Sequence, residues 1–224
     1  MGRTLGAQHL SGLELAFAEL DEGLASGLKA LELDLSLSQR RQLLDYLALL
    51  ARWNKAYNLT AIDQPREMLA RHLLDSLSIL PWLTGNRIVD AGTGAGLPGV
   101  PLAIACPERH FTLVDGNGKK IRFLRQVRRE LKLGNIEPVH ARLEDLPPED
   151  APDSITARAL APLERLVAWH RPWLERGTRL FAMKGRLSEE ECAEVPPEFQ
   201  LERHDLDVAG TDQRTLAIIQ LVNE

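Results

Sequence analysis

The sequence predicts an α/β fold: a doubly wound, mainly parallel sheet with helices on both faces, an antiparallel pair of strands at one edge, and helices in front. Three observations carry this. From Arg87 onward short β-type runs alternate with helical runs. Everything before Arg87 reads as helix. The last two strand-like runs follow each other with no long helix between them. The 224 residues are 44% apolar and 26% charged, enough to bury a core without a disulfide or metal staple.

Leu13, Phe17, Leu20, Leu24 and Leu28 fall on one face of a first amphipathic helix. Gly12, Gly23 and Gly27 weaken it, each costing about 1 kcal/mol in a helix interior. A second helix takes Ser38 as its cap and carries the stripe Leu43, Leu47, Leu50, Trp53 and Tyr57. A third starts near Asp63 with Pro65 in its first turn, carries Leu69, Leu73, Leu77 and Leu80 on one face, and stops at Pro81. Ile88-Val89-Asp90 is then the first strand, and Pro101 to Cys106 the helix after it. His110 to Asp115 is the second strand, and Lys119 to Leu133 a helix closed by Gly134. Further strands are expected at Ile136–His140, Ser154–Arg158, Arg179–Met183, Phe199–Val208 and Leu216–Val222. The acidic stretch Glu189 to Glu198 reads as a solvated loop or helix face. Residues 1–84 form a helical segment and 85–224 the sheet-bearing core, packed as one unit.

Composition narrows the function classes. Cys106 and Cys192 lie far apart, which argues against a disulfide framework and fits a reducing, cytoplasmic setting. The N-terminus lacks the apolar core of a signal peptide, and no apolar run is long enough to span a bilayer. The six histidines form no metal-spaced cluster, so no metal is expected. The net charge is −5, so a nucleic-acid partner has to be met by a local basic patch.

The central motif is the glycine turn Asp90-Ala91-Gly92-Thr93-Gly94-Ala95-Gly96-Leu97-Pro98-Gly99. After a first strand, such a turn lets a ligand approach the backbone. Two registers compete. Gly94-x-Gly96-x-x-Gly99 matches the dinucleotide fingerprint, which seats a pyrophosphate on a helix N-terminus. The register from Asp90, Asp-x-Gly-x-Gly-x-Gly, is the pattern of S-adenosylmethionine-dependent methyltransferases. In that register a carboxylate near the turn suits the ligand's amino group. Asp115 ends the next strand, where it can accept the ribose hydroxyls. Leu143 and Glu144 follow the third strand, in position to flank an adenine.

Several further segments resemble one family. Trp53-Asn54-Lys55-Ala56-Tyr57-Asn58-Leu59-Thr60, Arg71-His72-Leu73-Leu74-Asp75-Ser76-Leu77, the stretch Asp90–Pro101, Phe111–Leu133, Arg158-Ala159 with Ala161-Pro162-Leu163, and Ala182-Met183-Lys184-Gly185 are similar to the signatures of the RsmG (GidB) family of bacterial 16S rRNA methyltransferases. The resemblance runs in order over about residues 30–222 and leaves out the first ~30. It implies a Rossmann-like class I methyltransferase fold. It further implies methyl transfer from S-adenosylmethionine to N7 of one guanine in 16S rRNA, guanine 527 in the family, with 16S rRNA or the small ribosomal subunit as partner. Asp90, Gly92, Gly94, Leu97, Asp115, Leu143, Glu144 and Arg158 are then the cofactor-binding candidates.

Guanine N7 offers a lone pair and no proton, so no general base is expected and no catalytic acid or base is assigned. Alignment of nucleophile, methyl and sulfur is what remains. The RNA candidates are basic. Lys119, Arg122, Arg125 and Arg129 lie on a helix whose Ile121, Leu124, Val127 and Leu131 face inward, and Lys184 follows a strand end. His72 and Asp75 sit one turn apart and read as a pair, and Trp53 and Tyr57 read as core. A non-catalytic nucleotide- or RNA-binding module and a nicotinamide-dependent oxidoreductase are the other readings. The second lacks room for a substrate domain after Glu144. A monomer is expected.

Overall fold

A computed structural model describes residues 12–147 and 149–222, with side chains from residue 19 onward. Helix α1 (Gly12–Ala30) packs Leu24 and Leu28 inward, while the side chains of Leu13 and Phe17 lie outside the described residues. Helix α2 (Leu37–Tyr57) is capped by Ser36, not Ser38. The Ser36 hydroxyl accepts from the Gln39 N–H and the Gln39 side chain accepts from the Ser36 N–H, a reciprocal box that Ser38 cannot form in this register. Asn58 ends the helix in the left-handed region, φ 49°.

The third helical run is not uniform. Pro65–Met68 (α3) is α-helical, Leu69–Leu74 widens into a π-turn, and Asp75–Leu77 (α4) closes it. Pro81 does not terminate this run. It sits inside a separate 3-10 turn, Leu80–Trp82.

Seven strands follow in the order β3-β2-β1-β4-β5-β7-β6. They are β1 (Arg87–Ala91), β2 (His110–Asp115), β3 (Ile136–His140), β4 (Ser154–Arg158), β5 (Arg179–Lys184), β6 (Phe199–Leu206) and β7 (Arg214–Leu221). The first five are parallel, and β7 runs antiparallel to both β5 and β6. Helices α5 (Gly99–Ala105) and α6 (Gly118–Glu130) link the first three strands. Helix α6 ends before Gly134; Lys132 takes the left-handed conformation there, φ 53°. Helix α7 (Leu163–Leu174) joins β4 to β5, a crossover that the apolar pattern does not mark because Pro172 sits inside it. The acidic stretch forms a short helix, α8 (Glu189–Ala193).

Two apolar layers enclose the sheet. One joins Leu43, Leu47 and Leu50 of α2 to α5, α6 and strand residues such as Ile88, Phe111 and Phe181, so the N-terminal helices and the sheet share a core. The other lies under α7, with Val89, Ile155, Leu166 and Ile219. Strand order reverses between β1, which pairs with β2, and β4, which also pairs with β1. The carboxyl ends of β1 and β4 therefore flank the switch point, where ligands of open α/β sheets bind. Among the described residues no helix is long and apolar enough to cross a membrane.

Candidate active site

The glycine turn leaves β1 at this point. Gly92, Gly94 and Gly96 have φ of +63°, +62° and +100°, conformations L side chains adopt only under strain. This alternation fits the register counted from Asp90. Helix α5 starts only at Gly99, eight residues after the end of β1 at Ala91, so no pyrophosphate is offered a helix N-terminus directly behind the strand. The third position of the dinucleotide register is a packing glycine. A Cβ on Gly99 would sit 2.3 Å from Leu113 Cδ2 and 2.6 Å from Asp90 Oδ2.

Asp90 is fully buried and does not face the ligand side, contrary to the expectation that it meets an amino group. Three donors converge on its carboxylate: the Thr93 hydroxyl at 2.5 Å, the Gly99 N–H at 2.9 Å and the Thr156 hydroxyl at 2.9 Å. It ties the turn to α5 and β4. Burial pushes its carboxyl up to about 6, against the pull of these donors and of Arg158. The turn is braced from outside as well, because Tyr46 of α2, buried, donates its hydroxyl to the Ala95 carbonyl at 2.9 Å.

Asp115 closes the neighbouring strand. One carboxylate oxygen accepts from the Gly94 N–H at 2.9 Å and the other from the Asn117 N–H at 2.8 Å, with Lys120 Nζ at 3.4 Å. It fastens the turn to the end of β2, and its two oxygens hold more lone pairs than these donors use. Leu143 and Glu144 lie one strand further out, in a 3-10 turn after β3, Leu143 half-buried and Glu144 exposed.

In front of the turn opens a cavity of about 600 Å³. Gly92, Gly94, Leu97, Arg158 and Lys184 line it, and Asp90, Asp115, Leu143 and Glu144 do not. Its opposite wall comes from Leu59, Thr60, Arg71, His72 and Asp75, with Arg214 from β7. A Cβ on Gly94 would meet nothing closer than 3.9 Å, so above this residue the backbone is open to the cavity. A Cβ on Gly92 would instead strike Leu160 Cδ1 at 2.6 Å.

That wall is a buried polar cluster. Asp75, 3% exposed, accepts from Arg158 Nη1 at 3.0 Å and from Arg214 Nε at 3.0 Å. Arg158 Nη1 also donates to the Arg71 carbonyl at 2.8 Å, inside the π-turn. His72 does not pair with Asp75. Its Nε2 lies 3.0 Å from Thr60 Oγ1, because the two guanidiniums have already taken the carboxylate. Burial, then the Arg158 charge, lowers His72 to about 4, so the ring is neutral at physiological pH. The Asn54 side-chain oxygen accepts from the Thr60 N–H at 2.9 Å and fixes the segment after α2.

Lys184 is not a free cation. Its Nζ sits 2.7 Å from Glu191 and donates to the Ala161 carbonyl at 2.8 Å. Lys119, Arg122, Arg125 and Arg129 lie exposed along α6, with Arg129 donating to Gln126. Trp53 is half-buried and tilts against Phe123 at 5.5 Å, while Tyr57, expected in the core, is 46% exposed and stacks on Trp53. The sequence does not point to Tyr46 or Arg214 as parts of the site. Asp75 lies in the family-like segment Arg71–Leu77, but its spacing from His72 gives the wrong partner.

The strand order, the antiparallel β7 and a glycine-turn cavity at the switch point define a Rossmann-like methyltransferase. Among solved structures the fold is similar to magnesium protoporphyrin IX methyltransferase of Synechocystis with bound SAM, with a TM-score of 0.56 at 16% identity over 79% of this chain and 97% of that one. The family model described as rRNA small subunit methyltransferase G (GidB) matches residues 39–217. Ribosomal RNA small subunit methyltransferase G of Marinobacter nauticus is 50% identical over 198 residues, covering 88% of this chain and 92% of that protein. The protein of the same name from an Escherichia coli O17:K52:H18 strain is 51% identical over 201 residues, covering 88% and 96%. The chain belongs to the rRNA small subunit methyltransferase G family.

Proposed function

We propose that the chain transfers a methyl group from S-adenosylmethionine to N7 of one guanine in 16S rRNA. The observation that carries this reading is the cavity at the switch point, with an open glycine turn on one side and arginines on the other. When bound, S-adenosylmethionine supplies an electrophilic methyl on a sulfonium sulfur. The open backbone at Gly94 leaves room for the methionine part, the Asp115 carboxylate can accept ribose hydroxyls, and Leu143 with the turn around Glu144 can flank the adenine. The chain need not remove a proton, since guanine N7 carries none. Its task is to hold the purine in line with the donor and to keep water out. Neutral His72, held by Thr60, is part of that fixed wall and not a base.

RNA approaches over the exposed basic side of α6, where Lys119, Arg122, Arg125 and Arg129 meet phosphates, and Lys184 holds the cavity rim through Glu191. We further propose that the protein acts as a monomer in the cytoplasm, which sedimentation would check. Transfer of labelled methyl to naked 16S rRNA and to assembled small subunits, followed by mapping of the methylated base, tests the reading. Intact cofactor binding without transfer to either would leave a binding module. Changing Arg122, Arg125 and Arg129 together to glutamine is expected to flatten the log–log salt dependence of RNA affinity by about two units, with cofactor affinity kept. An unchanged slope would remove α6 from the RNA surface.

A further inference from the structure

The cavity wall carries an unusual charge pattern. Arg71, Lys120, Arg158, Lys184 and Arg214 line it, and Asp75 is the one carboxylate that does so among the described residues. The acids that pair with the other cations stand behind them. Glu67 and Asp212 hold Arg71, Asp115 holds Lys120, and Glu191 holds Lys184, and none of these acids lines the cavity. Asp75 differs in place and in load. Its carboxylate is buried at the cavity wall, with one oxygen on Arg158 and the other on Arg214. One negative charge thus faces two guanidiniums that approach the cavity from β4 and from β7.

The reaction carries positive charge through this space, from sulfur to the purine. A half-buried cation beside it would oppose both the bound sulfonium and the transfer, because at 20% exposure water screens it only in part. We propose that Asp75 is an electrostatic positioning residue: it holds Arg158 and Arg214 in place and offsets their charge, so that the cavity accepts the cationic donor in preference to its neutral product. This rests on the cofactor occupying the cavity as described under the proposed function.

The π-turn supports this role. Winding Leu69–Leu74 as a π-turn places the Arg71 carbonyl where it accepts from Arg158 Nη1, alongside Asp75. π-Turns inside helices are frequent at functional sites. Arg158 therefore has two acceptors from one wall, and Arg214 depends on Asp75 and on the adjacent Gln213 carbonyl.

The test is calorimetry of the full chain with S-adenosylmethionine, whose sulfur is charged, and with S-adenosylhomocysteine, whose sulfur is neutral. Asp75→Asn is expected to lower the preference for the charged ligand by about tenfold, beyond any loss common to both. Arg214→Gln is expected to shift the preference the opposite way, because it removes one cation while Asp75 stays. The double variant Asp75→Asn/Arg214→Gln restores the charge count but not the hydrogen bonds, and its preference is expected to return toward that of the parent. A merely structural role would lower affinity for both ligands together in all three variants and would overturn the proposal. If Asp75→Asn does not fold, Arg214→Gln alone decides, since an unchanged or falling preference contradicts the charge argument. Gly94→Val separates the two readings. If it leaves both affinities intact, the ligand does not lie in this cavity and the proposed site fails; if it abolishes both while the ratio in Arg214→Gln stays flat, only the inference fails.

Discussion

The two walls of the cavity are built on different principles. The glycine wall is one contiguous segment, Asp90 to Gly99, whose shape is set by backbone conformation and by donors converging on a buried carboxylate. The opposite wall draws on three distant segments, residues 59–75, Arg158 and Arg214, joined by side-chain ion pairs. The first is local in sequence and held by the hydrogen bonds that converge on Asp90. The second exists only when α2, the π-turn, β4 and β7 have come together, so it should fail more steeply when one member is lost.

The steepest loss is expected at Asp75. Asp75→Ala strands two guanidiniums that are each only 20% exposed, a break that costs about 3–5 kcal/mol in buried pairs. Urea unfolding would measure it, and a loss below about 1 kcal/mol, the range of exposed pairs, would reduce the cluster to a surface feature.

The walls should also respond oppositely to acid. The carboxyl of Asp90 titrates near 6, above its ordinary 3.8. The folded state thus holds that proton more tightly, and the contribution is full below about pH 4 and fades as pH rises through 6. His72 titrates near 4, below its ordinary 6.5. Its contribution is full above 6.5 and fades as pH falls toward 4. Each is worth roughly 3 kcal/mol at most across its window. Unfolding midpoints between pH 4 and 7 should therefore fall more sharply with acid in Asp90→Asn and less sharply in His72→Gln than in the parent. Identical profiles for all three proteins would contradict the assignment.

Within the glycine wall, Gly94 and Gly99 should separate conformation from packing. Gly94→Ala meets open space, so its cost in stability is the positive φ alone, about 1–2 kcal/mol, while S-adenosylmethionine affinity should drop further because the Cβ enters the cavity. Gly99→Ala collides with Leu113 and Asp90 and should lower stability first. Calorimetry beside thermal melts distinguishes the two, and equal effects on both properties at both sites would remove the distinction. The smallest effect is expected at Tyr46, where Tyr46→Phe removes the hydroxyl that satisfies the Ala95 carbonyl. That costs about 1 kcal/mol and should soften the turn without changing the far wall. No change in the melting temperature would mean water replaces the hydroxyl.

Much of the glycine wall is legible in the amino-acid sequence, because a strand, a glycine turn and an acid at the end of the next strand are local signals with fixed periods. The limits of β2, β3 and β4 agree with those the residue pattern predicts, and so does the antiparallel pair at the edge. Local competition misleads where two candidates stand close together. Ser36 and Ser38 are both eligible caps, and the reciprocal bond with Gln39 selects Ser36. Position alone suggests Asp90 as a ligand contact, whereas the three donors that enclose it come from a turn, a helix start and a neighbouring strand.

What the sequence determined by itself is therefore the alternation of elements, the glycine turn through Gly92, Gly94 and Gly96, and the basic side of α6. The alternation and the basic side follow from periodicity, the turn from clustered glycines that let the backbone approach a ligand. Tertiary structure alone decided who pairs with whom: His72 with Thr60, Asp75 with Arg158 and Arg214, Lys184 with Glu191, and Tyr46 with Ala95. The reason is physical. A charged side chain reaches several acceptors of similar strength, and which one it takes depends on the packing of segments that lie as far apart in the chain as Asp75 and Arg214, 139 residues.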